Sequence, residues 1–177
     1  MNNFCKKMIS LTGGAVIALA MIGCATTAPS ANFTIKPPEQ QRVDENDVAT
    51  IKLESANEVS MTDAEKQRLA KLIISKIDAK KRENTNAEDP KEYEFEVIVT
   101  RYEKGNAFAR FILAGLGQIH IDAHITVFSL PARDKYAEFD IDKTFAWGGF
   151  VGASTKIENV EHGFADGIAD AVIESQQ

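Results

Sequence analysis

Apolar and polar residues alternate with period two in four stretches of this chain. In "DVATIKLES", residues 47–55, Ala49, Ile51 and Leu53 oppose Val48, Thr50 and Lys52. "KEYEFEVIVTRYE" sets Tyr93, Phe95, Val97 and Val99 against Glu92, Glu94 and Glu96. "QIHIDAHITVF" aligns Ile119, Ile121, Ala123, Ile125 and Val127, and "YAEFDIDKTFAW" aligns Phe139, Ile141, Phe145 and Trp147. Successive side chains of a strand point to opposite faces, so each stretch predicts a strand with one buried face.

Two other stretches change period. Thr62 with Glu65 three residues on reads as a capping box. Leu69, Leu72, Ile73 and Ile77 follow at helical spacing, which predicts a helix over 62–81. Thr155 with Glu158 reads as a second box, opening a stripe of Val160, Phe164, Ile168, Ala171 and Val172. Gly163 and Gly167 lie one turn apart in that stripe and would let the helix approach the sheet closely. The order is β-α-β-β-β-α. One apolar and one polar face per strand predicts a two-layer α/β sandwich, a mixed sheet with helices on one face, spanning 48–174. The first strand, helix and second strand read as a right-handed parallel crossover, and the third and fourth strands as an antiparallel pair.

Ahead of this domain the pattern is of another kind. Lys6 and Lys7 precede the largely apolar "MISLTGGAVIALAMIG", which ends in small residues. That is the three-part layout of a secretory signal, and the run is short for a spanning helix of about 20 residues. The motif "MIGC", residues 21–24, resembles the lipobox of bacterial lipoproteins, with Met21 in place of the more usual leucine. The resemblance implies that 1–23 are removed as a signal peptide and that Cys24 is lipidated as the new N-terminus. The plainer alternative is an ordinary signal or anchor with an incidental cysteine. Ala25 stands where an aspartate would favour the inner membrane. The resemblance therefore implies an outer-membrane protein; a domain facing the periplasm is the expectation, and the cell surface is the alternative. Residues 24–47, with Pro29, Pro37 and Pro38 and few large apolar side chains, read as a lipid-anchored flexible tether.

Charge and cysteine count narrow the classes. Loss of 1–23 removes two lysines and no acid, leaving 18 basic against 26 acidic residues and a net charge of −8 with histidine neutral. Such a chain is a poor match to nucleic acid, which wants a basic face. "AKKRE", 79–83, is its one basic cluster and suits a helix C-terminus. Of the two cysteines, Cys5 and Cys24, neither remains free in a lipidated mature chain. No internal disulfide, CxxC pair or cysteine nucleophile is then available.

The candidate chemistry is sparse. His120, Asp122 and His124 in "HIDAH" would share a helix face, but the alternation says strand. There, positions four apart are about 13 Å apart, too far to share one ion. Glu94, Glu96, Asp140 or Asp142 could complete a metal site from neighbouring strands, and a solvated polar face is the plain alternative. "AGLGQ" and "WGGFVG" lack the dinucleotide and P-loop patterns. The connection "AFARFILAGLG", 107–117, is long and apolar. It either extends the flanking strands into the core or forms an interaction surface of Phe108, Arg110, Phe111 and Leu113, with Arg110 orienting it at lipid headgroups or an acidic partner.

A lipobox, a Pro-rich tether, "RFILAGLGQIHIDAHITVF", a hairpin, "WGGFVGAST" and a closing amphipathic helix together resemble a domain-of-unknown-function family of small proteobacterial lipoproteins. That family is similar in fold to the TolB amino-terminal domain and to the curli secretion channel lipoprotein. The resemblance covers about 48–174, implies the fold and brings no catalytic residues, cofactor or metal. The expected protein is a non-enzymatic, lipid-anchored periplasmic binding or assembly module. Its partners are the membrane through Cys24 and either an unassigned envelope protein or itself. The alternatives are a homo-oligomeric component of an envelope secretion or channel complex, and a metal-binding protein.

Overall fold

A computed structural model describes residues 28–38, 43–81, 89–113 and 116–173. The described residues form strands β1 (Ser30–Ile35), β2 (Val48–Ser55), β3 (Glu92–Glu103), β4 (Ile119–Leu130) and β5 (Asp134–Phe145). Helix α1 (Asp63–Lys80) joins β2 to β3, and α2 (Ala107–Ile112) joins β3 to β4. Helices α3 (Gly149–Ser154) and α4 (Ile157–Ile173) follow β5. The sheet order is β1-β5-β4-β3-β2. β2 and β3 run parallel, as the crossover through α1 requires, and every other pair is antiparallel. The result is the two-layer α/β sandwich that strands with one apolar face demand.

The four predicted strands keep their predicted faces. Tyr93, Phe95, Val97 and Val99 of β3, Ile119, Ile121, Ile125 and Val127 of β4, and Phe139 and Ile141 of β5 are all buried. Leu69, Ile73 and Ile77 of α1 and Val160, Phe164, Ile168 and Val172 of α4 close the core over them. The capping box opens α1: the Glu65 amide donates to Thr62 Oγ1 at 3.3 Å, and the Thr62 amide donates to Glu65 Oε2 at 2.9 Å.

α1 and α4 run side by side in the same direction, and three ion pairs mark the register: Arg68 with Glu161, Lys76 with Asp166, and Lys80 with Asp170. Glu161 is 1% exposed. Its carboxylate accepts from Arg68 Nε and Nη2, both at 2.9 Å, and from the Tyr102 hydroxyl at 2.7 Å. This triad binds α1, β3 and α4 at one point. Burial first, then the Glu161 carboxylate, pushes the Tyr102 phenol well above its usual pKa, so it stays a donor.

Outside the connection between β3 and β4, the structure departs from the sequence reading at three places. Residues 30–35, inside the expected tether, are the edge strand β1 on β5. Ala31 and Phe33 turn toward the core, with Phe33 5.1 Å from Phe139 between ring centroids. The alternation is only six residues long and lies between prolines, so composition masks it; the prolines flank the ladder without interrupting it. Val43 is also buried. The second departure is at Thr155, which caps the end of α3: its hydroxyl donates to the Val151 carbonyl at 2.8 Å. The start of α4 uses Asn159 instead, whose Oδ1 accepts from the Lys156 amide at 3.0 Å. Thr155 follows one helix, α3, before it precedes the next, and the sequence reading had no helix there. Third, β5 ends at Phe145, and Trp147 lies beyond it, stacked on Phe145 at 6.3 Å. The signal peptide 1–23, the lipidated Cys24 and tether residues 24–27 and 39–42 lie outside the described residues.

Candidate functional site

Between β3 and β4 the described residues form the short helix α2, with the large apolar side chains of the connection exposed. Asn106 caps α2, its Oδ1 accepting from the Ala109 amide at 3.0 Å. The loop's neck is closed by the Asn106 amide donating to the Gly117 carbonyl at 3.1 Å. Gly105 and Gly117 hold this neck at φ of 65° and 66°, a backbone region that side chains disfavour. A Cβ at Gly105 would also collide with the carbonyls of Gly117 and Gln118.

Arg110 does not face outward as the sequence reading had it. It is 3% exposed. Its Nε donates to the Gly152 carbonyl at 2.7 Å, Nη1 to Gly117 at 2.6 Å and Nη2 to Thr155 at 3.0 Å. With 3.6 residues per turn, position 110 falls opposite the arc of 108, 111 and 112. The guanidinium therefore turns inward and staples α2 to α3. Burial pushes its pKa below the usual guanidinium value.

The other face of the α2–α3 pair is apolar and uncovered. Phe108 is 72% and Phe150 83% exposed, and Phe111, Ile112, Leu113, Leu116 and Val151 are each about half exposed. Phe111 and Phe150 meet edge to face at 5.3 Å. Three of the expected surface residues, Phe108, Phe111 and Leu113, thus share one surface with Phe150 and Val151, which the sequence reading missed. The signal for the last two was present in "GGFVGAS": two large apolar side chains between glycines, with no strand or helix period to bury them. A cleft of about 540 Å³ lies beside α3, lined by residues including Lys143, Phe145, Thr155 and Asn159. Burial lowers the Lys143 pKa.

His120, Asp122 and His124 fall on the sheet face that carries no helix, at alternate positions of β4. His124 Nδ1 lies 2.8 Å from Asp140 and His120 Nδ1 lies 2.9 Å from Thr144 Oγ1. Asp122 stands opposite Asp142. Burial raises its pKa from the usual aspartate value. Glu94 is held between Lys52 at 2.6 Å and Arg133 at 2.7 Å, which lower its pKa, Lys52 first. His120, His124 and Glu94 thus have partners on neighbouring strands. Among the described residues, no three His, Cys, Asp or Glu side chains are gathered so as to hold a metal ion. Among the same residues, no helix is long and apolar enough to cross a membrane.

Comparison with known proteins bears on fold and family. Two structures of the PelC dodecamer from Paraburkholderia phytofirmans superpose with TM-scores of 0.52 and 0.55, each at 9% identity. They cover 82% of this chain and 98% and 97% of theirs. At this identity the likeness establishes a shared fold. A candidate lipoprotein from Caulobacter crescentus CB15 aligns at 15% identity over 71% of this chain and 84% of its own, with a TM-score of 0.37. No curated protein matches the chain. The family described as "Domain of unknown function (DUF4410)" matches residues 29–149, from the residue just before β1 to the first residue of α3. The chain belongs to that family.

Proposed function

We propose that this protein is a lipid-anchored, non-enzymatic assembly module of the bacterial envelope that works as a homo-oligomer. In this reading Cys24 carries the lipid, the outer membrane holds it and the domain faces the periplasm. The observation that carries the reading is the likeness to PelC over 98% of a chain that forms dodecamers. The sheet adds support: it ends in two different strands, β1 and β2. A strand edge is a template for pairing with another chain. Contacts between two unlike surfaces of identical subunits close into rings when the rotation permits. The ordinary cross-strand pairing of His120, His124 and Glu94 leaves the metal-binding alternative with little to recommend it.

The test is crosslinking in intact cells followed by mild detergent extraction, comparing wild type with Cys24→Ala. Bands at multiples of the chain alone, weakened without the anchor, are expected. A single foreign envelope protein crosslinked one to one would replace assembly by binding. Monomer in both samples would contradict the proposal.

A further inference from the structure

We infer that the apolar face of α2 and α3 is a second membrane contact, seated in the headgroup layer of the bilayer that holds the Cys24 lipid; this rests on the lipid-anchored reading above.

Three observations lead there. First, the face is built to stay exposed. Arg110 spends its guanidinium on the carbonyls of Gly117, Gly152 and Thr155, which fixes α2 against α3 and turns Phe108, Phe111, Ile112 and Phe150 outward. Large apolar side chains grouped on one surface mark a contact with a partner or a membrane.

Second, the chemistry suits lipid. In a chain with 26 acidic residues, neither 105–118 nor 147–156 contains an Asp or Glu. Nothing on these two segments would repel an anionic headgroup or need to be stripped of water as a carboxylate. Phenylalanine and leucine on a rigid short helix are the side chains that enter the boundary between headgroups and acyl chains.

Third, the leader's length selects this end of the molecule. α2 and α3 leave the sheet where Glu103 pairs with His120 and Ile119 with Phe145. β1 starts at the same end, with Ser30 opposite Asp142. At about 3.3 Å per residue, Ser30 lies about 10 Å from the Phe145 end of β5 and about 26 Å from its Asp134 end. Cys24 is six residues before Ser30, a reach of at most about 20 Å even fully extended. A lipid on Cys24 can hold the bilayer against the α2–α3 end, and falls short of the opposite one.

The experiment uses the acylated full chain extracted from cells and reconstituted into vesicles of phosphatidylethanolamine and phosphatidylglycerol, with and without brominated acyl chains. The chain has one tryptophan, so Trp147→Phe with Phe150→Trp leaves a single fluorophore on the face. Its emission is expected to fall by about half on brominated lipid, and adding Phe111→Ser and Leu113→Ser to cut that quenching at least about threefold. Should the double change disturb folding by circular dichroism, Phe108→Ser serves in its place, because that ring is 72% exposed. Chains that float with the vesicles and carry the acyl mass, yet show no quenching, overturn the inference and leave the anchor standing. Unquenched chains that crosslink to one another through position 150 assign the face to a second copy and overturn it as well. Chains that neither float nor carry acyl mass overturn the anchor and the inference together.

Discussion

Glu161 sits in the core stripe of α4, between Ile157 and Phe164, and is almost sealed from water. Its bidentate bond to Arg68 and its bond to Tyr102 offset the loss of hydration. Breaking a buried ion pair from one side strands the other charge. Arg68 is itself partly exposed, so Arg68→Ala belongs at the low end of that effect. Urea denaturation should give a loss of about 3 kcal/mol, recovered in large part by pairing it with Glu161→Met. Arg110 predicts a local response instead. Arg110→Met removes the donors that join α2 to α3, so amide exchange in 107–112 and 149–154 should accelerate while β3 and β4 keep their protection. Neither role was legible in the sequence beyond a hint. A glutamate on a helix's apolar stripe and an arginine within "FARFI" both signal a buried partner, but the partners lie far off along the chain. Glu65 was legible as a cap, and the structure adds Lys104 at 2.7 Å. Lys104 first, then the Thr62 amide, lowers its pKa from 4.5 to about 2. A folded value below the unfolded one means that the stabilisation is complete above pH 4.5 and is lost as pH falls toward 2. The stability gap between wild type and Glu65→Gln should therefore be constant near neutrality and close across that window in pH-dependent denaturation.

The same division holds for elements. Long segments with a clear period, β3, β4, β5, α1 and α4, were readable because eight or more residues repeat the same choice of face. β1, α2 and α3 are six residues each, too short for a period to stand out. Only their tertiary partners define them: Phe139 for Phe33, and Arg110 for the two short helices. The placement of β1 carries a prediction at the glycines of α4. A Cβ on Gly167 would strike Pro29, at the root of β1, so Gly167→Ala should destabilise by about 1–3 kcal/mol. A Cβ on Gly163 meets only the flexible end of Lys143, nearest at 3.1 Å. Gly163→Ala should be neutral or gain up to about 1 kcal/mol of helix propensity. Thermal melts of the two variants separate a folded 30–35 from a loose tether, for which Gly167→Ala would meet only the Ile141 side chain, at 3.1 Å, and cost little.

At the scale of the molecule, the helices seal one face of the sheet, and their ion pairs from Arg68–Glu161 to Lys80–Asp170 fix them side by side. The other face carries paired charges, β1 and β2 stand at the two edges, and one end carries the exposed apolar surface. Such a body has several surfaces for neighbours, and it shares its fold with PelC, a dodecamer. The most direct measurement is the mass of the acylated full chain, extracted in mild detergent and held at low protein concentration, by native mass spectrometry. A single defined multiple of the chain, with acyl mass on the Cys24 peptide, is the predicted result. A monomer at every concentration, or an intact chain without lipid, would contradict a lipid-anchored assembly module.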